Sequence, residues 1–110
     1  MFGYEQIARN NHKSGINCSN SVYNAFKDDL KLSGNAPLPR SIDGKCGVVL
    51  SVEAILNEIG KADEIEKFEE AFVNKFGYLK CKDLIMHGRV CNDNVGFGAD
   101  YLEKIIKDRN

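Results

Sequence analysis

Three features of this sequence predict an all-α domain. Apolar residues recur at three- and four-residue intervals along most of the chain. The strict alternation of β-branched residues that marks a half-buried strand is absent. Glycines at 15, 60, 77 and 88 punctuate the helical stretches. The 110 residues suit one domain, spanning 1–110, with five or six helices. At that size a folded chain buries about two-thirds of its surface, enough for a real core.

Each element has its own signal. Tyr4, Ile7 and Ala8 sketch a short first helix that stops near Gly15. Val22, Ala25, Phe26 and Leu30 form the stripe of a second. Ser33 to Pro39 carries two prolines two residues apart, which cannot continue a helix, so an irregular loop is expected there. Val48, Val52, Ile55, Leu56 and Ile59 make the third helix, widened by Val49 and greasy over so much of its circumference that it belongs at the centre. Asp63 with Glu66 suggests a capping box for a fourth helix, striped by Ile65, Phe68, Phe72 and Phe76. A short helix is expected over Lys82 to His87. The last carries Ala99, Leu102, Ile105 and Ile106, with Lys104, Lys107 and Arg109 suiting its C-terminal dipole.

Composition narrows the function. Fifteen basic and sixteen acidic side chains leave a formal charge of −1, which gives no electrostatic reason to expect nucleic acid or an anionic membrane as partner. Apolar runs such as Val48-Val49-Leu50 fall far short of the roughly 20 residues a membrane span needs. The N-terminal stretch has no apolar signal-peptide core, so the expected compartment is the cytoplasm, where thiols stay reduced unless catalytic, sensing or metal-bound.

Four cysteines are the unusual feature. Cys18, Cys46, Cys81 and Cys91 each fall at or near a predicted helix N-terminus. Such an end carries about half a positive charge and several unbonded N–H groups. Both favour the thiolate, the species that attacks disulfides and binds metals. Lys45, Lys80 and Lys82 add positive charge beside two of the four. At least one pair is therefore expected to converge within disulfide reach. Cys46, at the start of the central helix and beside Lys45, is expected to ionise below the usual thiol range. The plainer alternative is that a cysteine is a small hydrophobe filling the core.

Other chemistry lacks its pattern. There is no C-x-x-C, and the cysteines lie 28, 35 and 10 residues apart, so neither a local zinc motif nor a compact ferredoxin run is present. Gly96-Phe97-Gly98 is followed by Tyr101 where a dinucleotide fingerprint needs glycine. Asn92-Asp93-Asn94 matches a calcium loop in composition only. His87 reads as a solvated helix-end residue, His12 as a surface residue, and the Asp28-Asp29 and Glu69-Glu70 pairs as solvated faces.

The order of these residues resembles a known family. Asn17-Cys18-Ser19-Asn20-Ser21-Val22 comes first, then Cys46-Gly47 opening an apolar helix. Phe72-x-x-x-Phe76-Gly77-x-x-x-Cys81-x-x-Leu84 follows, then Cys91 and an amphipathic last helix. This is similar to the redox-active proteins named for their four-cysteine C…GCAxxG…C…C signature, over roughly positions 15 to 107. The sequence departs from that signature at Lys45, where glycine is expected, and across Val48 to Ser51, where small residues are expected.

The resemblance implies an intracellular redox-linked role with Cys18, Cys46, Cys81 and Cys91 as the functional residues. They would serve as nucleophile, resolving thiol or ligand, either cycling between dithiol and disulfide or holding an iron–sulfur cluster for electron transfer. The alternatives are a structural zinc module on the same four sulfurs and a helical interaction protein with merely buried cysteines. The expected partners are a redox partner protein and a second copy of the chain.

Overall fold

The computed structural model describes residues 3–32, 46–88 and 90–107, with Cys81 described in its backbone alone. The expected proline-containing loop, Lys45 and Arg109 lie outside the described residues. Six α-helices and no β-strand are formed among the described residues, the all-α fold that the apolar periodicity predicts. The Cα radius of gyration, 12.7 Å, is that of one closely packed domain of this length. None of the described helices is long and apolar enough to cross a membrane.

Local chemistry sets most boundaries. Helix α1, Tyr4–Lys13, ends before Gly15, whose φ of +106° suits a residue without Cβ. Helix α2, Cys18–Leu30, starts behind Asn17, whose side-chain oxygen accepts the Asn20 N–H at 2.8 Å. Helix α3 spans Gly47–Glu58 with Cys46 at its N-cap. A single 3-10 turn, Ala62–Glu64, leads into α4, Ile65–Phe76. The expected Asp63–Glu66 capping box does not form. The 3-10 turn occupies its place, Glu64 becomes the N-cap residue of α4, and its side chain makes no capping bond. Helix α5, Cys81–Met86, is short, and α6, Cys91–Lys107, is the longest.

Side-chain pairs fix the helix directions. At one end of α1 the Tyr4 N–H donates to the Glu103 carboxylate (3.1 Å); at the other, Arg9 Nη1 donates to Asn92 Oδ1 (2.9 Å). Helices α1 and α6 are therefore antiparallel. Tyr4 stacks on Phe26 with ring centroids 4.2 Å apart, while Asn11 donates to the Ser21 carbonyl (3.1 Å), so α1 and α2 are antiparallel too. It follows that α2 and α6 run parallel. Helix α3 joins them in direction. Its first turn meets the start of α2, and the Tyr23 hydroxyl, further along α2, donates to Glu58 at its last turn. The Asp28-Asp29 pair is not purely solvated, because the Tyr4 hydroxyl donates to Asp29.

Apolar burial follows the predicted stripes. Val48, Val49, Val52, Ile55 and Leu56 are all fully buried, which places α3 at the centre. Phe68, Phe72 and Phe76 of α4 form an aromatic cluster with Phe97 of α6. The α3–α6 crossing is tight at Gly98, where an added Cβ would lie 2.4 Å from Val48 Cγ1. Val48 is β-branched and enclosed, so it cannot swing aside. Gly98→Ala is expected to lose about 1–2 kcal/mol, overpacking outweighing the roughly 1 kcal/mol gain in helix propensity. The double variant with Val48→Ala should recover part of that loss in urea unfolding.

Candidate functional site

The parallel course of α2, α3 and α6 brings their N-termini to one end of the bundle. The start of α5 joins them, because the Cys46 N–H donates to the Leu79 carbonyl at 2.8 Å, two residues before that helix begins. All four cysteines open these helices. Cys18, Cys81 and Cys91 are first residues, and Cys46 is an N-cap. One end of the molecule therefore gathers four helix N-termini, each with a cysteine in its backbone.

Two of the thiols are neighbours. The Cys18 side chain, 28 residues away in sequence, is near enough to act as a hydrogen-bond partner of Cys46 and raise the pH at which it ionises. No two of the described cysteines stand at disulfide distance, so the expected convergence within disulfide reach is not found among the described residues. Both are buried, at 7% and 3% exposure, so little water reaches the pair. Neither is in a disulfide. The pair joins the first turns of α2 and α3, and both helices are anchored nearby by other contacts. Asn17 caps α2, and the Leu79 carbonyl holds the backbone of Cys46.

The electrostatics reverse one expectation. Cys46 is not acidified by its helix; its ionisation is pushed well above the usual thiol range. The hydrogen bond with Cys18 is the largest cause and burial the second. The N–H groups of Val48 and Val49, at the start of α3, do pull in the acidic direction, as a helix N-terminus should. They are outweighed because a thiolate there would lose both its water and its shared proton.

Cys91 differs in exposure: it is half-buried at the first turn of α6 and is not in a disulfide. Cys81 opens α5, and its side chain lies outside the described residues. An iron–sulfur cluster or a structural zinc site draws on four converging ligands. Among the described residues no group of three or more His, Cys, Asp or Glu is gathered in that way.

Both histidines have structural partners. His87 follows the last turn of α5, exposed as expected, with its ring stacked on Tyr78. Its Nδ1 lies 2.9 Å from the Asp83 carbonyl, which can only accept, so Nδ1 carries the proton. Nε2 then accepts from the Tyr78 hydroxyl at 3.0 Å. His12 is tied to the start of α6 through Asn92, whose amide also donates to the Arg9 carbonyl (3.2 Å).

Sequence reasoning missed Asn94. Its side chain is 1% exposed and its amide oxygen has no hydrogen-bond partner. A signal was present: Asn94 lies three residues after Cys91 and four before Gly98, on the stripe that α6 turns towards α3. The glycines and asparagines around it hid that stripe. No protein-family model, no curated protein and no solved structure matches this chain.

Proposed function

We propose that this protein is a thiol redox protein in which Cys18 and Cys46 cycle between dithiol and disulfide. The observation that supports the reading is the nearness of these two buried thiols, which open two parallel helices from distant positions in the sequence. The order of the four cysteines, similar to that of the four-cysteine redox family, supports the same reading.

The chemistry is a two-electron exchange. One sulfur of the pair, as thiolate, attacks an external disulfide; the second then attacks the first and releases the external thiol. Both protons of the pair leave, and the external disulfide becomes two thiols.

Equilibration in dithiothreitol buffers of graded ratio, followed by acid quenching and alkylation, tests for the couple. The expected result is one two-electron transition, with the reduced-to-oxidised ratio changing tenfold per about 30 mV. Full alkylation across the whole range, in protein that stays folded, would favour merely buried cysteines. Stoichiometric iron or zinc with protected thiols would favour a metal centre.

A further inference from the structure

A cleft of about 480 Å³ is lined by residues of α1, α4 and α6. That volume is in the range of small-molecule sites. Asp93, Gly96, Phe97 and Asp100 fall at i, i+3, i+4 and i+7, so α6 turns one face to the cleft. Half-buried Phe97 and Phe76 of α4 give the cleft an apolar part, their rings packed edge-on with centroids 5.4 Å apart. None of the described cysteines lines it, so it stands independently of the thiol-pair reading.

Charge is unevenly spread in the cleft. On the α1 side, Arg9 Nε donates to Glu5 (3.0 Å), while Nη1 donates to Asn92 (2.9 Å) and Asp93 (3.2 Å). The guanidinium also lies against α6 at Gly96, where an added Cβ would run into it. Arg9 is thereby fixed in place. Glu5 and Asp93 together outweigh it by one negative charge, and each spends one oxygen on Arg9 and keeps the other. On the α4 side stands Lys75, exposed and without an ion pair among the described residues. Asp100, also in the cleft, is neutralised by Lys104 at 3.0 Å. The cleft therefore has a negative side and a positive side whose excess charges cancel.

A ligand with one kind of charge is attracted by one side and repelled by the other. A neutral ligand that has both charges suits both sides at once. We propose that this cleft binds a zwitterion, an α-amino acid with an apolar side chain. Its ammonium group takes the spare oxygens of Glu5 and Asp93, its carboxylate takes Lys75, and its side chain packs on Phe76 and Phe97. Both polar contacts are charge-assisted, the stronger kind of hydrogen bond.

The test is titration of the full chain with L-phenylalanine, followed by backbone amide NMR shifts. Saturable shifts are expected at Lys75, Phe76, Gly96 and Phe97, with a dissociation constant of about 1 mM or tighter. N-acetyl-L-phenylalanine lacks the ammonium group and phenethylamine lacks the carboxylate. Each should bind about tenfold more weakly or worse. Lys75→Gln should weaken L-phenylalanine binding about tenfold and leave phenethylamine binding unchanged. Lys75 is exposed, so this variant keeps the fold. Lys27→Gln, on the exposed side of α2 and outside the cleft, is the control and should change nothing. An absence of saturable shifts at these four residues up to about 10 mM L-phenylalanine overturns the proposal. So does equal binding of the three compounds, or L-phenylalanine binding that Lys75→Gln leaves unchanged.

Discussion

Phe72→Ala is expected to destabilise the protein by about 3–5 kcal/mol, a large share of the stability a domain of this size has. Phe72 is fully buried at the middle of the aromatic cluster. Its ring centroid lies 4.8 Å from that of Phe76, 5.9 Å from that of Phe68 and 5.9 Å from that of Phe97, the last edge-on. Removing the ring loses its burial and leaves a cavity bounded by three other rings, which cannot all close inward together. Urea unfolding read by circular dichroism measures the effect. Val73→Ala, one position along but 37% exposed, should cost less than about 1 kcal/mol and serves as the control. Equal losses at the two positions would show that α4 does not bury its phenylalanine face as described.

The second large effect is a loss of stability in alkaline solution. Cys46 ionises well above the usual thiol range in the folded chain, because of its hydrogen bond with Cys18 and its burial. An unfolded cysteine ionises near pH 8.5. Between those limits the folded state keeps a proton that the unfolded state has lost. The stabilisation is complete below about pH 8.5 and declines as pH rises above it, by about 1 kcal/mol per pH unit from this one group. Tyr4 adds to the decline at higher pH. Its donation to Asp29 and its partial burial raise it from 10.0 to about 12, so its contribution starts to fall near pH 10. Unfolding free energies at pH 7 to 10, under reducing conditions, should fall with this slope. The slope should flatten in Cys46→Ser. A stability that is level or rising from pH 8 to 10 would mean that Cys46 is acidified after all.

What was legible in the sequence was whatever depends on neighbours within a turn or two. The stripes of α2, α3 and α4 announced their buried faces, and the glycines at 15, 60 and 77 marked where helices stop. The placement of cysteines at helix starts followed from the same signals. Helix α6 was only half legible. Its first two turns carry Gly96, Gly98 and three polar residues, which have little helix propensity and show no apolar run. They are held by tertiary contacts that a linear pattern does not display, Gly98 against Val48 and Arg9 against Asn92 and Asp93.

The acidity of Cys46 was misread for a related reason. The helix N-terminus and Lys45 are visible in the sequence, whereas the enclosing core and the second thiol exist only once α2 and α3 lie side by side. Which cysteines become neighbours is likewise decided by helix direction, and the separations of 28, 35 and 10 residues give no hint of it.

Identification of the linked peptides in the oxidised protein tests the central claim most directly. The chain is oxidised with glutathione disulfide, its remaining thiols are blocked in acid, and it is digested without reduction. The account predicts one dominant linked pair, joining the peptide that contains Cys18 to the peptide that contains Cys46, with Cys81 and Cys91 recovered as blocked thiols. A dominant Cys81–Cys91 link, or Cys18 and Cys46 both recovered as blocked thiols from fully oxidised protein, would contradict it.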